Sequence, residues 1–140
     1  MKRVCLKIIM ITSLFFSQMV LAQTEKDDDV YSQCVDSMID KMKLQGINNG
    51  VVSACSNYSR AIYEKQIVSL LDRIKKQSQE YQQPERYTDI LKSQRLWKSY
   101  IDQECRNAGA YVGSPMYEFC PMVEYKNRVD QLQEYLGGSS

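Results

Sequence analysis

Between positions 94 and 105 the chain reads Gln94-Arg95-Leu96-Trp97-Lys98-Ser99-Tyr100-Ile101-Asp102-Gln103-Glu104-Cys105. With Tyr87 and Leu91 upstream, Gln94, Trp97, Ile101 and Cys105 follow three- and four-residue steps, the period of one helix face. Pro84 suits the first turn of that helix. The same period recurs on both sides. Val30, Cys34, Met38 and Met42 predict a helix from Val30 to about Leu44. Val52, Cys55, Tyr58 and Ile62, continued by Ile67, Val68, Leu71 and Ile74, predict a second from Val51 to about Lys76. A last helix is expected from Met116 to Leu136 with Val129 and Leu132 inward, which requires Pro121 to fall in its first turn or the helix to begin later. Residues 46–50, and the stretch from Asn107 to Pro115, read as turn and loop. Gly137-Gly138 ends the pattern. No segment sustains β alternation and no repeat is evident. The expected fold class is all-α, a bundle of about four helices.

The 140 residues suffice for one domain, and 44% hydrophobic with 25% charged residues excludes collagen-like, low-complexity and wholly disordered chains. A net charge of +1 argues against a dedicated nucleic-acid binder, which needs a clustered basic surface. There is no histidine, so the commonest acid/base group and zinc ligand are both missing.

Residues 1–22 read as a secretory signal peptide. Lys2, Arg3 and Lys7 form a basic start, Ile8 to Ala22 is mostly apolar, and Val20-Leu21-Ala22 offers small residues at the cleavage positions. An apolar stretch of about 15 residues is short for a membrane span, which needs about 20. Cleavage takes the basic count from 18 to 15 against 17 acidic residues, so the net charge becomes −2. It also removes Cys5 and leaves Cys34, Cys55, Cys105 and Cys120. Residues 23–29 are a polar, acidic tail whose last member, Asp29, is placed to cap the first helix. Residues 30–140 form the single domain.

Four cysteines in an exported chain favour two disulfides, and spacing alone allows three connectivities. Local pairing, Cys34 with Cys55 and Cys105 with Cys120, ties each helix to its sequence neighbour and is preferred over the two crossed alternatives. Without His or a C-x-x-C pair, no metal or cofactor is expected.

The segment from Gln94 to Cys105 resembles the Q-R-x-W-x-x-Y-R-D-x-x-C signature of the LprI-like family of lysozyme inhibitors, through Gln94, Arg95, Trp97, Tyr100, Asp102 and Cys105. Val112-Gly113-Ser114-Pro115-Met116 stands at the family's Gly-Gly-Ser loop and Pro-Met pair, with Gly113 and Ser114 matching. Cys120, Arg128 and Leu132 follow at the family's spacing. Ile101 replaces an Arg and Val112 a Gly. The similarity runs from Tyr87 to Leu132 and implies a helical, exported, disulfide-bonded protein.

Trp97 and Tyr100 read as anchors of the core and its rim, and Asp102 as a partner for Arg106 or Arg128. Loops on disulfide-stiffened frames make good probes for another protein's cleft, because little entropy is lost on docking. Gly109, Tyr111, Gly113, Ser114 and Met116 are therefore the candidate partner-binding loop. The chain is expected to be a periplasmic or secreted binding protein rather than an enzyme. The resemblance makes a lysozyme or another cell-wall hydrolase its partner, with no nucleic acid and no stable membrane insertion. The competing expectation is an envelope protein with a structural, stress or immunity role and a different protein partner.

Overall fold

The computed structural model describes residues 29–137, which build four helices: α1 Val30–Met42, α2 Asn49–Glu80, α3 Pro84–Tyr111 and α4 Met116–Tyr135. The expected leader, with Cys5, and the tail as far as Asp28 lie outside the described residues. No strand forms among the described residues, so the chain is all-α as read.

Local chemistry sets the boundaries. Asp29 caps α1 by accepting from the Ser32 N–H at 2.8 Å. At the other end Lys43 takes the left-handed conformation, φ 51°, and the Leu44 N–H donates back to the Ile39 carbonyl. This stop satisfies carbonyls that would otherwise be orphaned, and it ends α1 two residues before Leu44. Asn48 caps α2 through the Val51 N–H at 3.0 Å, and that helix then runs to Glu80, beyond the expected Lys76. Its 32 residues span about 48 Å. Pro84 occupies the first position of α3, as expected.

Two readings need correction at the α3–α4 junction. The helix α3 continues past Asn107 to Tyr111, because Gly109 is not a loop residue but a packing contact inside the helix. Pro121 lies in the second turn of α4, which still begins at Met116. A proline there deprives the Tyr117 carbonyl of its helical donor without ending the helix.

Consecutive helices are antiparallel, and α2 touches the other three, with its broadest interface on α4. The main core joins Tyr63, Ile67, Leu70 and Ile74 of α2 to Ile101 of α3 and Met122, Tyr125, Val129 and Leu132 of α4. A smaller cluster, Val35, Val51 and Cys55, seals α1 onto α2. The buried line on α2 is Val51, Cys55, Ser59, Tyr63, Ile67, Leu70, Ile74 and Ser78, in steps of three and four. The expected stripe is right at Cys55, Ile67 and Ile74, and it misses Tyr63 and Leu70. Tyr58 and Val68 are exposed, as is Met42 on α1, because serines at 56, 59 and 78 occupy core positions that an apolar pattern skips.

The disulfides are Cys34–Cys55 and Cys105–Cys120, with Cα separations of 5.5 and 5.4 Å. This is the local pairing. Closing loops of 21 and 15 residues stabilises the fold by about 3 kcal/mol each in the chain-entropy view. Both staples sit in the same half of the bundle, where Asn49 and Ser53 at the start of α2 reach Ser114 and Glu118. The opposite end is tied by polar contacts instead. Arg86 of α3 donates to the Gln77 side chain at 2.7 Å and to the Tyr135 carbonyl, and Gln77 donates to the Leu136 carbonyl.

Candidate functional site

The motif residues divide into a buried half and an exposed half. Arg128 is 4% exposed and every nitrogen of its guanidinium is engaged. Nε donates to Gln94 Oε1 at 2.7 Å, Nη1 to Gln131 Oε1 at 3.1 Å, and Nη2 to Ser93 Oγ at 3.1 Å. The guanidinium lies 5.7 Å from the Trp97 ring centroid, and Trp97 meets Tyr125 edge-on at 5.2 Å. Arg128 thus converges on one α3–α4 contact with Gln94 and Trp97, more than 30 residues earlier in the sequence. None of these contacts is a carboxylate. Burial therefore pushes the Arg128 pKa down, and the Tyr135 phenol only partly opposes it.

Asp102 does not reach Arg128. It pairs with Lys98, one turn back, at 2.8 Å, while Arg106 binds Gln103. Asp102 is exposed, about 100° round the helix from the buried Ile101. Burial by itself lowers the Lys98 pKa, but hydrogen bonds to Asp102 and Tyr125 raise it further, so the net shift is upward. Ile101, in the family's Arg position, is 1% exposed and belongs to the main core.

Arg95 and Tyr100 complete the exposed half of the motif. Tyr111 follows Tyr100 by three helical turns on the same flank of α3. Beyond it the chain turns through Val112, Gly113, Ser114 and Pro115, and the Ser114–Pro115 peptide is cis. Gly113 has φ 108°, which side-chain-bearing residues rarely adopt. Tyr111 is 86% exposed and Val112 76%, so the turn presents an apolar tip.

The base of this turn is fixed from two sides. Cys105–Cys120 joins α3 to α4, and the Tyr117 ring lies across the backbone of Gly109. A Cβ at Gly109 would fall 2.2 Å from Tyr117 Cδ1. Of the expected loop residues, Tyr111, Gly113 and Ser114 therefore form the turn. Gly109 is buried beneath Tyr117, and Met116 is half-buried at the start of α4. Val112 and Tyr117 belong to the exposed surface as well and were not in the expected set. Hydropathy beside the glycine could have pointed to Val112, whereas only the three-dimensional contact reveals Tyr117.

An open groove of about 510 Å³ lies between α1 and α2, lined by Val30, Cys34, Met38, Lys41, Tyr58 and Ile62 among others. Of the expected site residues it contains Cys34 alone. Among the described residues no three His, Cys, Asp or Glu side chains gather as a metal cage, and no helix is long and apolar enough to cross a membrane.

A family model described as "Lysozyme inhibitor LprI" matches residues 32–132, which takes in both disulfides, the Gln94–Arg128 contact and the turn at 112–115. No curated protein and no solved structure matches the chain.

Proposed function

Because this chain belongs to the LprI family of lysozyme inhibitors, we propose that it is a periplasmic or secreted binding protein that blocks a lysozyme or related cell-wall hydrolase. The mode is steric occlusion by protein–protein contact, without a cofactor and without chemistry of its own. The observation that carries this reading is the turn from Tyr111 to Pro115. Its exposed Tyr111 and Val112 stand on a base held by Cys105–Cys120 and by Tyr117 over Gly109. An aromatic and an aliphatic side chain on a stiff support lose little conformational freedom on docking, and they suit the apolar centre of an interface. With only a small net charge, shape rather than long-range attraction governs encounter.

The test is a titration of cell-wall lysis by animal and phage lysozymes with the oxidised protein. Stoichiometric loss of lysis by at least one type is the expected outcome. Undiminished lysis by all of them at micromolar excess rejects the proposal.

A further inference from the structure

The two turns at the disulfide-bearing end lie side by side. Asn49 Nδ2 donates to the Ser114 carbonyl at 3.5 Å, and Ser53 Oγ donates to Glu118 at 3.2 Å. Two residues before Asn49 stands Ile47, 61% exposed, and two residues before Ser114 stands Val112. Each turn has its own staple, Cys34–Cys55 behind the first and Cys105–Cys120 behind the second. The two turns also differ in charge from the rest of the chain. Segments 43–49 and 109–117 contain no Asp or Glu. Lys43, exposed at the left-handed stop of α1, forms no ion pair among the described residues.

Resting on the inhibitor reading above, we infer that the binding surface is bipartite and that the turn at 43–48 docks together with the turn at 112–115. Ile47 adds a second apolar contact beside Tyr111 and Val112, and Lys43 supplies a cation at the edge. The occupant is the substrate cleft of a glycosidase. Such a cleft is concave and carries two carboxyl groups across the scissile bond. Two neighbouring turns with no carboxylate of their own, one bearing an unpaired lysine, complement it in both shape and charge. Glu118, the first acidic residue beyond the second turn, is held by Ser53 Oγ.

Calorimetric titration of the oxidised protein into a lysozyme tests this with four variants: I47E, K43Q, Y111A and Y81A. Tyr81 is also exposed but sits at the opposite end, in the α2–α3 turn, and serves as the control. The expected result is a tenfold or greater loss of affinity for I47E and for Y111A. K43Q should lose severalfold, shrinking as salt is added, and Y81A should bind like the parent. Exposed Ile47 and Lys43 leave the thermal melt unchanged. Parent-like binding by I47E and K43Q, with only Y111A weakened, overturns the bipartite surface while the inhibitor reading stands. Failure of the parent protein to bind any lysozyme overturns both.

Discussion

Arg128 Nε donates to Gln94 Oε1 at 2.7 Å across the α3–α4 interface, and among the described residues the buried cation is surrounded by neutral side chains, including the Trp97 ring and the Tyr135 phenol. A buried charge stripped of an acceptor costs more than a polar pair that is removed cleanly. Gln94→Ala leaves the guanidinium short of a partner and is expected to destabilise by about 2 kcal/mol, the range for hydrogen bonds to charged groups. Arg128→Met removes the charge and keeps most of the volume, and should cost less. Urea unfolding of both variants compares them. A larger loss for Arg128→Met would show that the guanidinium contributes net stability despite its burial.

The first helix carries a pH-dependent contribution. Burial raises the Asp29 pKa, but the Lys126 hydrogen bond, the Ser32 backbone N–H and the Lys126 charge together outweigh it, and the net shift is downward. A depressed carboxyl stabilises the fold above its unfolded pKa, and that contribution is lost as pH falls through the lower folded value. Stability is therefore expected to decline as acid is added below about pH 4, the ordinary carboxyl range. Asp29→Asn keeps the cap acceptor, loses the Lys126 pair and flattens this part of the profile. Asp29→Ala loses the cap too, for about 1 kcal/mol more. Melting temperature against pH for the three proteins separates the two effects.

Gly109 has no room for a side chain. Gly109→Ala places a methyl in the Tyr117 ring, and overpacking of this kind costs about 1–3 kcal/mol. Tyr117→Ala removes the obstacle, so the double variant should be more stable than the two single costs added together. Additive melting temperatures would mean that the ring swings aside freely and does not hold the turn.

Serines 56, 59 and 78 are fully buried, and among the described residues their hydroxyls find no hydrogen-bond partner. Burying a hydroxyl without a partner costs roughly 1–3 kcal/mol. Replacing Ser56 or Ser59 by Ala, a better helix former, should raise the melting temperature. A fall would point to a need for the hydroxyl itself.

Much of this architecture was readable from spacing. The starts of α1 and α3, the four-helix count, and Val129 and Leu132 facing inward followed from period and punctuation, while the neighbour-to-neighbour staples were the preferred one of three connectivities that spacing leaves open. The buried face of α2 was legible only in part, at Cys55, Ile67 and Ile74, because core serines break the apolar pattern and Tyr58 and Val68 continue it on the exposed side. The end of α3 was not legible, because a glycine that admits a neighbouring ring looks the same in sequence as one that ends a helix. The motif itself marks positions without assigning roles. Only the fold separates Gln94, Trp97 and Arg128, which hold the bundle together, from Tyr100 and the turn at 112–115, which face outward. Ile47 lay outside the motif altogether and reached the same end through Asn49.

Occlusion is tested most directly by the kinetic form of inhibition on a soluble oligosaccharide substrate. A protein seated in the substrate cleft competes with the glycan. The expected result is an apparent KM that rises in proportion to inhibitor while kcat stays constant, with the rise diminished for Tyr111→Ala. A fall in kcat at unchanged KM, or no effect on either constant, contradicts it.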